Sequence, residues 1–387
     1  MGQRYRLTWP LGATSFKVES IHIFIERSIN KNMSDVLSLA SAWQQGEHNG
    51  GFAIRYAAKG QNGQEKNMNE AMLKRALVTL GTSTLLVGAA AVQAQEDESC
   101  ERVRFAEVGW TDITATTALT SEVLEALGYE TRVDTVSVPI AYSGLRNEDF
   151  DVFLGNWMPS MASISDPYIE QGDVDRVAAN LQGAKYTLAV PQYVHDAGVT
   201  SVEDLDADAE RFESRIYGIE AGNDGNMIIQ DMIDDDAFGL GDWELVDSSE
   251  AGMLAELRSK AQNEEWMVFL GWEPHPMNTN FDMAYLEGAD DYFGTNLGGA
   301  TVHTNTRAGY VESCPNVGTL LKNLEFTLEM ENQLMSAIMD EGVDPREAAR
   351  NYLQENPGVL DEWLEGVSTR GGEEGLPAVK DELGIES

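Results

Sequence analysis

The chain has 387 residues, with 26 Lys+Arg against 65 Asp+Glu and a formal net charge of −39. That length suits two or three ordinary domains. Self-repulsion of this size argues against nucleic acid or an anionic membrane surface as a partner.

The acid is unevenly placed. Residues 1–67 hold 8 Lys+Arg against 5 Asp+Glu and show no sustained periodicity. Residues 68–94 read as a secretory signal peptide. Met68 or Met72 starts it, Lys74 and Arg75 give the basic end, 76–92 the apolar stretch, and Val92-Gln93-Ala94 a small-residue cleavage site. The run is too short and too rich in Ala, Gly and Thr for a membrane span. Residues 1–67 are therefore expected to be a non-native upstream extension or a mis-called start, the alternative being a real cytosolic extension ahead of an internal anchor. The chain from Gln95 onward carries 16 Lys+Arg, only 4 of them Lys, against 59 Asp+Glu, a balance of −43. It resembles the acidic, lysine-poor surfaces of salt-adapted organisms. In about 1 M salt the Debye length is roughly 3 Å, so the repulsion is screened. Cys100 and Cys314 both follow the cleavage site, and two cysteines in an exported chain most simply form one disulfide. Closing so long a loop is worth on paper roughly 5 kcal/mol. No cysteine sits at the new N-terminus to take a lipid, so the expected location is the soluble periplasm.

Strands and helices then alternate. Residues 103–110 read as a strand and 111–127 as a helix with Gly128 as its C′ residue. A strand over 129–138, a short helix over 139–147 and a strand over 151–154 follow. A second series opens with a strand from Tyr186, a helix start at 201–205 and a strand over 215–219. It continues with a helix over 226–235, a strand over 243–247, a helix over 249–263 and a strand over 267–270. A return strand over 302–304 precedes helices over 317–335, 347–354 and 360–366, with Asp344 as N-cap and Pro345 at N1. Strands separated by helices imply mostly parallel sheets. The expectation is an α/β protein of two lobes, 95–183 with 284–387 and 184–283, joined by two hinge crossings near 183–186 and 276–285.

Three of the strands end alike. VRFAEVGW, DVFLGNW and WMVFLGW each run through a glycine elbow to Trp110, Trp157 and Trp272. Strand carboxyl ends border the ligand crevice in α/β folds. Glycine lets the chain turn a ring out of the sheet. Three indoles there suggest a box of π faces, which selects a cation lacking hydrogen-bond donors, such as a quaternary ammonium. The competing reading is that each indole is a core anchor.

The stretches GWTDI (109–113), GNWMPSM (155–161), GAKYTLAVP (183–191), GIEAGNDGN (218–226), FLGWEPHPMN (269–278) and ENPGVLDEWLEGV (355–367) carry a family resemblance. From Val103 to about Leu376 the chain resembles the periplasmic substrate-binding proteins of glycine betaine/choline ABC importers, more narrowly the choline-binding members. The resemblance implies the type II binding-protein fold and a cage of Trp110, Trp157, Tyr186 and Trp272. It also implies polar contacts at Asp112 and Asn223 and a Cys100–Cys314 disulfide. Asp112 would complement a cation and accept the hydroxyl of choline, whereas it would repel the carboxylate of glycine betaine across a dry pocket. Its alternative role is to cap a helix start, and that of Asn223 is a plain turn residue. The expected protein is a monomeric, non-enzymatic choline receptor serving a membrane permease. Glycine betaine is the second candidate ligand, and acetylcholine stays open.

Other chemistry lacks support. His195, His275 and His303 are scattered without metal-site spacing, so no metal or other cofactor is expected. Asp234-Asp235-Asp236 lacks the EF-hand pattern. No nucleotide glycine loop and no G-x-S-x-G elbow is present. A hydrolase of choline esters and a sensor module would share the cage, but the first needs a nucleophile beside a base and the second a signalling domain.

Overall fold

The protein was analysed as a computed structural model in which residues 98–385 are described. The upstream-extension and signal-peptide assignments lie outside the described residues. The chain enters at β1 (Arg102–Glu107), whose alternating burial places Val103 and Phe105 in the core. It continues into α1 (Thr111–Ala126), which stops where Gly128 takes φ +90°. The Gly128 amide donates to Glu125 O at 2.9 Å and the Tyr129 amide to Leu124 O at 3.0 Å. That pair of bonds is a Schellman motif, and glycine adopts its left-handed turn without a Cβ penalty. β2 (Glu130–Thr135), α2 (Val138–Arg146) and β3 (Val152–Met158) complete a parallel set in which β1 pairs with both β2 and β3. Parallel neighbours need crossover connections, which α1 and α2 supply.

α3 (Ala162–Glu170) leads to β4, an 18-residue strand over Val174–Pro191. Sequence patterning placed a strand only from Tyr186, because Asp175, Arg176, Asn180 and Gln182 interrupt the apolar run. Those residues are accommodated by irregular pairing with β9, with register shifts at three points. Beyond β4 come β5 (Arg215–Tyr217), α4 (Asp224–Asp234), β6 (Glu244–Val246), α5 (Glu250–Gln262) and β7 (Val268–Glu273). β5 pairs in parallel with β6 and β7. The expected helix start at 201–205 is a single 3-10 turn, Val202–Asp204, capped by Ser201.

One nine-stranded sheet runs in the order β2-β1-β3-β9-β4-β7-β5-β6, with β8 (Met283–Tyr285) on β4 and β9 spanning Ala300–Arg307. The expected parallel strands are the outer three of each half. β3–β9, β9–β4, β4–β7 and β4–β8 are antiparallel, so the sheet as a whole is mixed. β4 pairs with β9 up to Ala184 and with β7 from Lys185, so it passes from one half to the other without a break. The return lies later than 276–285. Met283–Tyr285 still pairs with Ala189–Pro191 of β4, and the chain regains the first half only at β9, through 286–299. The expected boundary at 283/284 is corrected accordingly, since moving these residues to the other lobe would strip β4 of an edge partner.

α6 (Pro315–Asn323), α7 (Leu328–Met339), α8 (Pro345–Glu355) and α9 (Gly375–Glu382) follow. The single helix expected over 317–335 is two. Leu324 is extended, the Phe326 amide donates to Asn180 O at 2.7 Å, and the Thr327 hydroxyl caps α7 by accepting the Met330 amide at 3.1 Å. Tertiary pairing with β4 thus overrides a continuous apolar periodicity. Asp344 and Pro345 start α8 as expected, with the Asp344 carboxylate accepting the Arg346 amide at 3.0 Å. α7 and α8 pack on α1. There Arg346 and Arg350 hold the buried Glu122 at 2.6 and 2.8 Å. Cys100 and Cys314 are joined by a disulfide. Among the described residues no helix is long and apolar enough to cross a membrane.

Candidate ligand site

Trp110 follows β1, Trp157 lies in β3, Tyr186 in β4 and Trp272 in β7. Tyr186 and Trp272 are direct partners in the β4–β7 register, so their rings share one face of the sheet at a centroid distance of 6.4 Å. Trp157 stands 5.7 Å from Tyr186 across the join, and Phe293 braces Tyr186 edge-on at 6.0 Å. The four rings, with Asp112, Ile219 and Asp224, line one narrow cavity. The expected glycine elbow is realised once. Gly109 takes φ +82°, ahead of Trp110. Gly155 and Gly271 lie inside strands and serve as close-packing positions. A Cβ on Gly155 would stand 2.8 Å from Ile113, and one on Gly271 would stand 3.0 Å from Ala189.

The cavity wall is acidic. Asp112 and Asp224 are each 1% exposed. Asp112 accepts the Trp157 indole N–H at 3.2 Å through Oδ2, while its Oδ1 has no hydrogen-bond partner. Neither oxygen of Asp224 has one; the Ser160 hydroxyl and the amides of residues 224 and 225 lie near without reaching hydrogen-bond geometry. Burial, with the Glu250 charge added, pushes the Asp112 carboxyl up to about 7. Burial likewise lifts Asp224 to about 6 and Glu220 to about 7. Unsatisfied, desolvated carboxyl oxygens facing π surfaces form a site built for positive charge.

Two bonds span the halves beside this cavity. The Trp110 indole N–H donates to Glu220 Oε1 at 2.8 Å, and the Thr111 amide donates to Glu250 Oε2 at 2.9 Å. Glu220, Asp224 and Glu250 escaped the sequence reading because an acidic chain offers many carboxylates; adjacency to Asn223 was the one available signal for Asp224. Asn223 itself does not line the cavity. Its Oδ1 caps α4 by accepting the Asn226 amide at 2.9 Å, and its Nδ2 donates to Glu220 O. The structure therefore brings Trp110, Asp112, Trp157, Tyr186 and Trp272 together and sets Asn223 just behind them.

The substrate-binding domain of ABC-type glycine betaine transport systems matches residues 101–355. The chain belongs to this family. Such proteins are extracytoplasmic receptors of ABC importers. A solved ABC-transporter choline-binding protein in complex with choline is 53% identical, with a TM-score of 0.74, covering 74% of this chain and all of that one. The same kind of protein in an unliganded, semi-closed conformation gives a TM-score of 0.70. A lactococcal glycine betaine-binding protein in its closed, liganded form is 25% identical with a TM-score of 0.62, covering 68% of this chain and 99% of that one. A glycine betaine/carnitine transport binding protein of Listeria monocytogenes is 32% identical over 165 residues, which is 43% of this chain and 54% of that protein. An uncharacterised protein of Chromohalobacter salexigens is 81% identical over 129 residues, 33% of this chain and 83% of that protein.

Proposed function

We propose that this receptor captures choline, and that Trp110, Trp157, Tyr186 and Trp272 form the cage for its trimethylammonium group. The observation that carries the reading is a single cavity lined by four aromatic faces and two buried carboxyls with partnerless oxygens. A trimethylammonium group has no N–H, so ring faces hold it by charge–quadrupole attraction worth about 1–2 kcal/mol per desolvated contact. The free Oδ1 of Asp112 accepts the choline hydroxyl, while Asn223 supports the site from outside the cavity by capping α4 beside Asp224. Glycine betaine would set its carboxylate against Asp112 and Asp224, so it ranks second, and acetylcholine, having no hydroxyl to donate, ranks below choline. The 53% identity to a protein solved with choline supports choline as the first candidate.

The receptor is proposed to act as a monomer in the periplasm, reached through the signal peptide at 68–94, and to hand its ligand to a membrane permease without chemical change. The acidic surface fits a salt-rich surrounding. Titrating the exported chain with choline and with glycine betaine, followed by tryptophan fluorescence and calorimetry, tests the assignment. Saturable, tighter binding of choline supports it. Equal or tighter binding of glycine betaine would reverse the ligand ranking.

A further inference from the structure

Helix α1 starts without a cap of its own. Trp110 occupies its N-cap position and supplies no side-chain acceptor, although the first amides of a helix need outside partners. The Thr111 amide finds one across the cleft, in Glu250 Oε2 at 2.9 Å. Glu250 is the first residue of α5 and is 5% exposed. Its other oxygen lies 2.8 Å from His275 Nε2. His275 Nδ1 accepts the Met277 amide at 2.9 Å, which leaves the ring hydrogen on Nε2 and makes Glu250 the acceptor on both sides. The His275 ring meets Trp272 edge-on with centroids 4.8 Å apart. One buried carboxylate therefore ties the start of the helix bearing Asp112 to the segment bearing Trp272.

We infer that Glu250 is a closure latch, a carboxylate of one lobe that caps a helix of the other and fastens the cleft once a cation fills the cavity. This rests on the reading of the cavity as a cation site. The charge logic makes the latch conditional. Glu250 repels Asp112, so seating it in an empty cleft is costly. A cation seated against Asp112 offsets that cost, and the positive end of α1 adds to the attraction. Glu250 itself is absent from the cavity wall, so it acts through α1 and His275 as a positioning residue.

The test compares the wild type, Glu250→Ala and Glu250→Gln. Stopped-flow release of choline and hydrogen exchange at the Thr111 amide are read in each. The alanine variant is expected to release choline at least tenfold faster, with association changed less than twofold and the Thr111 amide losing protection. The glutamine variant keeps an acceptor for Thr111 but turns a donor toward His275, and is expected to fall between; being isosteric, it also covers the event that alanine misfolds. Wild-type release and exchange in both variants would overturn the latch. A wild type that shows no choline response would instead defeat the ligand assignment. The latch is then read with saturating glycine betaine, whose trimethylammonium group supplies the cation, where equal Thr111 protection with and without Glu250 would overturn it.

Discussion

At the scale of single residues, truncating a cavity ring removes both a π face and packing. Trp157→Ala and Trp272→Ala are each expected to weaken choline binding at least tenfold by calorimetry, since the loss of one desolvated cation–π contact of about 1–2 kcal/mol is joined by the loss of the ring's packing. Asp112→Asn keeps the shape and the Trp157 contact but deletes a charge, so it should cost choline affinity more than betaine affinity. Equal losses would remove the basis for ranking choline first. The three indoles were legible in the chain because three strands end in the same way, whereas Tyr186 was reached only through the family resemblance. Among the carboxyls Asp112 was reached through the family resemblance, whereas Asp224 and Glu250 were not, since their burial has no mark in a single sequence rich in acid.

At the scale of elements, local signals were read correctly where caps are local. Gly128 after α1 and Asp344-Pro345 before α8 act within one turn of the chain. Signals failed where the partner is distant. The break between α6 and α7 depends on Asn180 accepting the Phe326 amide, and the first half of β4 depends on β9. Thr327 is the visible trace of that break. Thr327→Ala is expected to cost about 1 kcal/mol of stability by denaturant titration, the usual worth of an N-cap, with the slope of the unfolding transition unchanged.

At the scale of the molecule, charge governs behaviour. The described acidic chain is expected to melt at higher temperature in molar salt than in low salt, since screening removes self-repulsion. Equal melting temperatures would count against salt adaptation. The cleft follows its own pH law. Asp112 and Glu220 at about 7 and Asp224 at about 6 hold their protons more tightly in this cleft, whose halves are bonded together, than free carboxyls near 4 do. Without a cation, their protonation therefore favours the joined halves at low pH, an advantage lost as pH rises through about 6 to 7. Small-angle scattering of the unliganded protein is expected to show a smaller radius at pH 5 than at pH 8, and a choline complex equally compact at both. A radius independent of pH without ligand would contradict this.

β4 runs unbroken from the first half of the sheet into the second, bonded to β9 before the join and to β7 and β8 beyond it. Motion between the halves must then twist a bonded ribbon instead of swinging two bodies on a slack tether. Such a ribbon is expected to resist like a torsion spring, and to recoil when the cargo leaves.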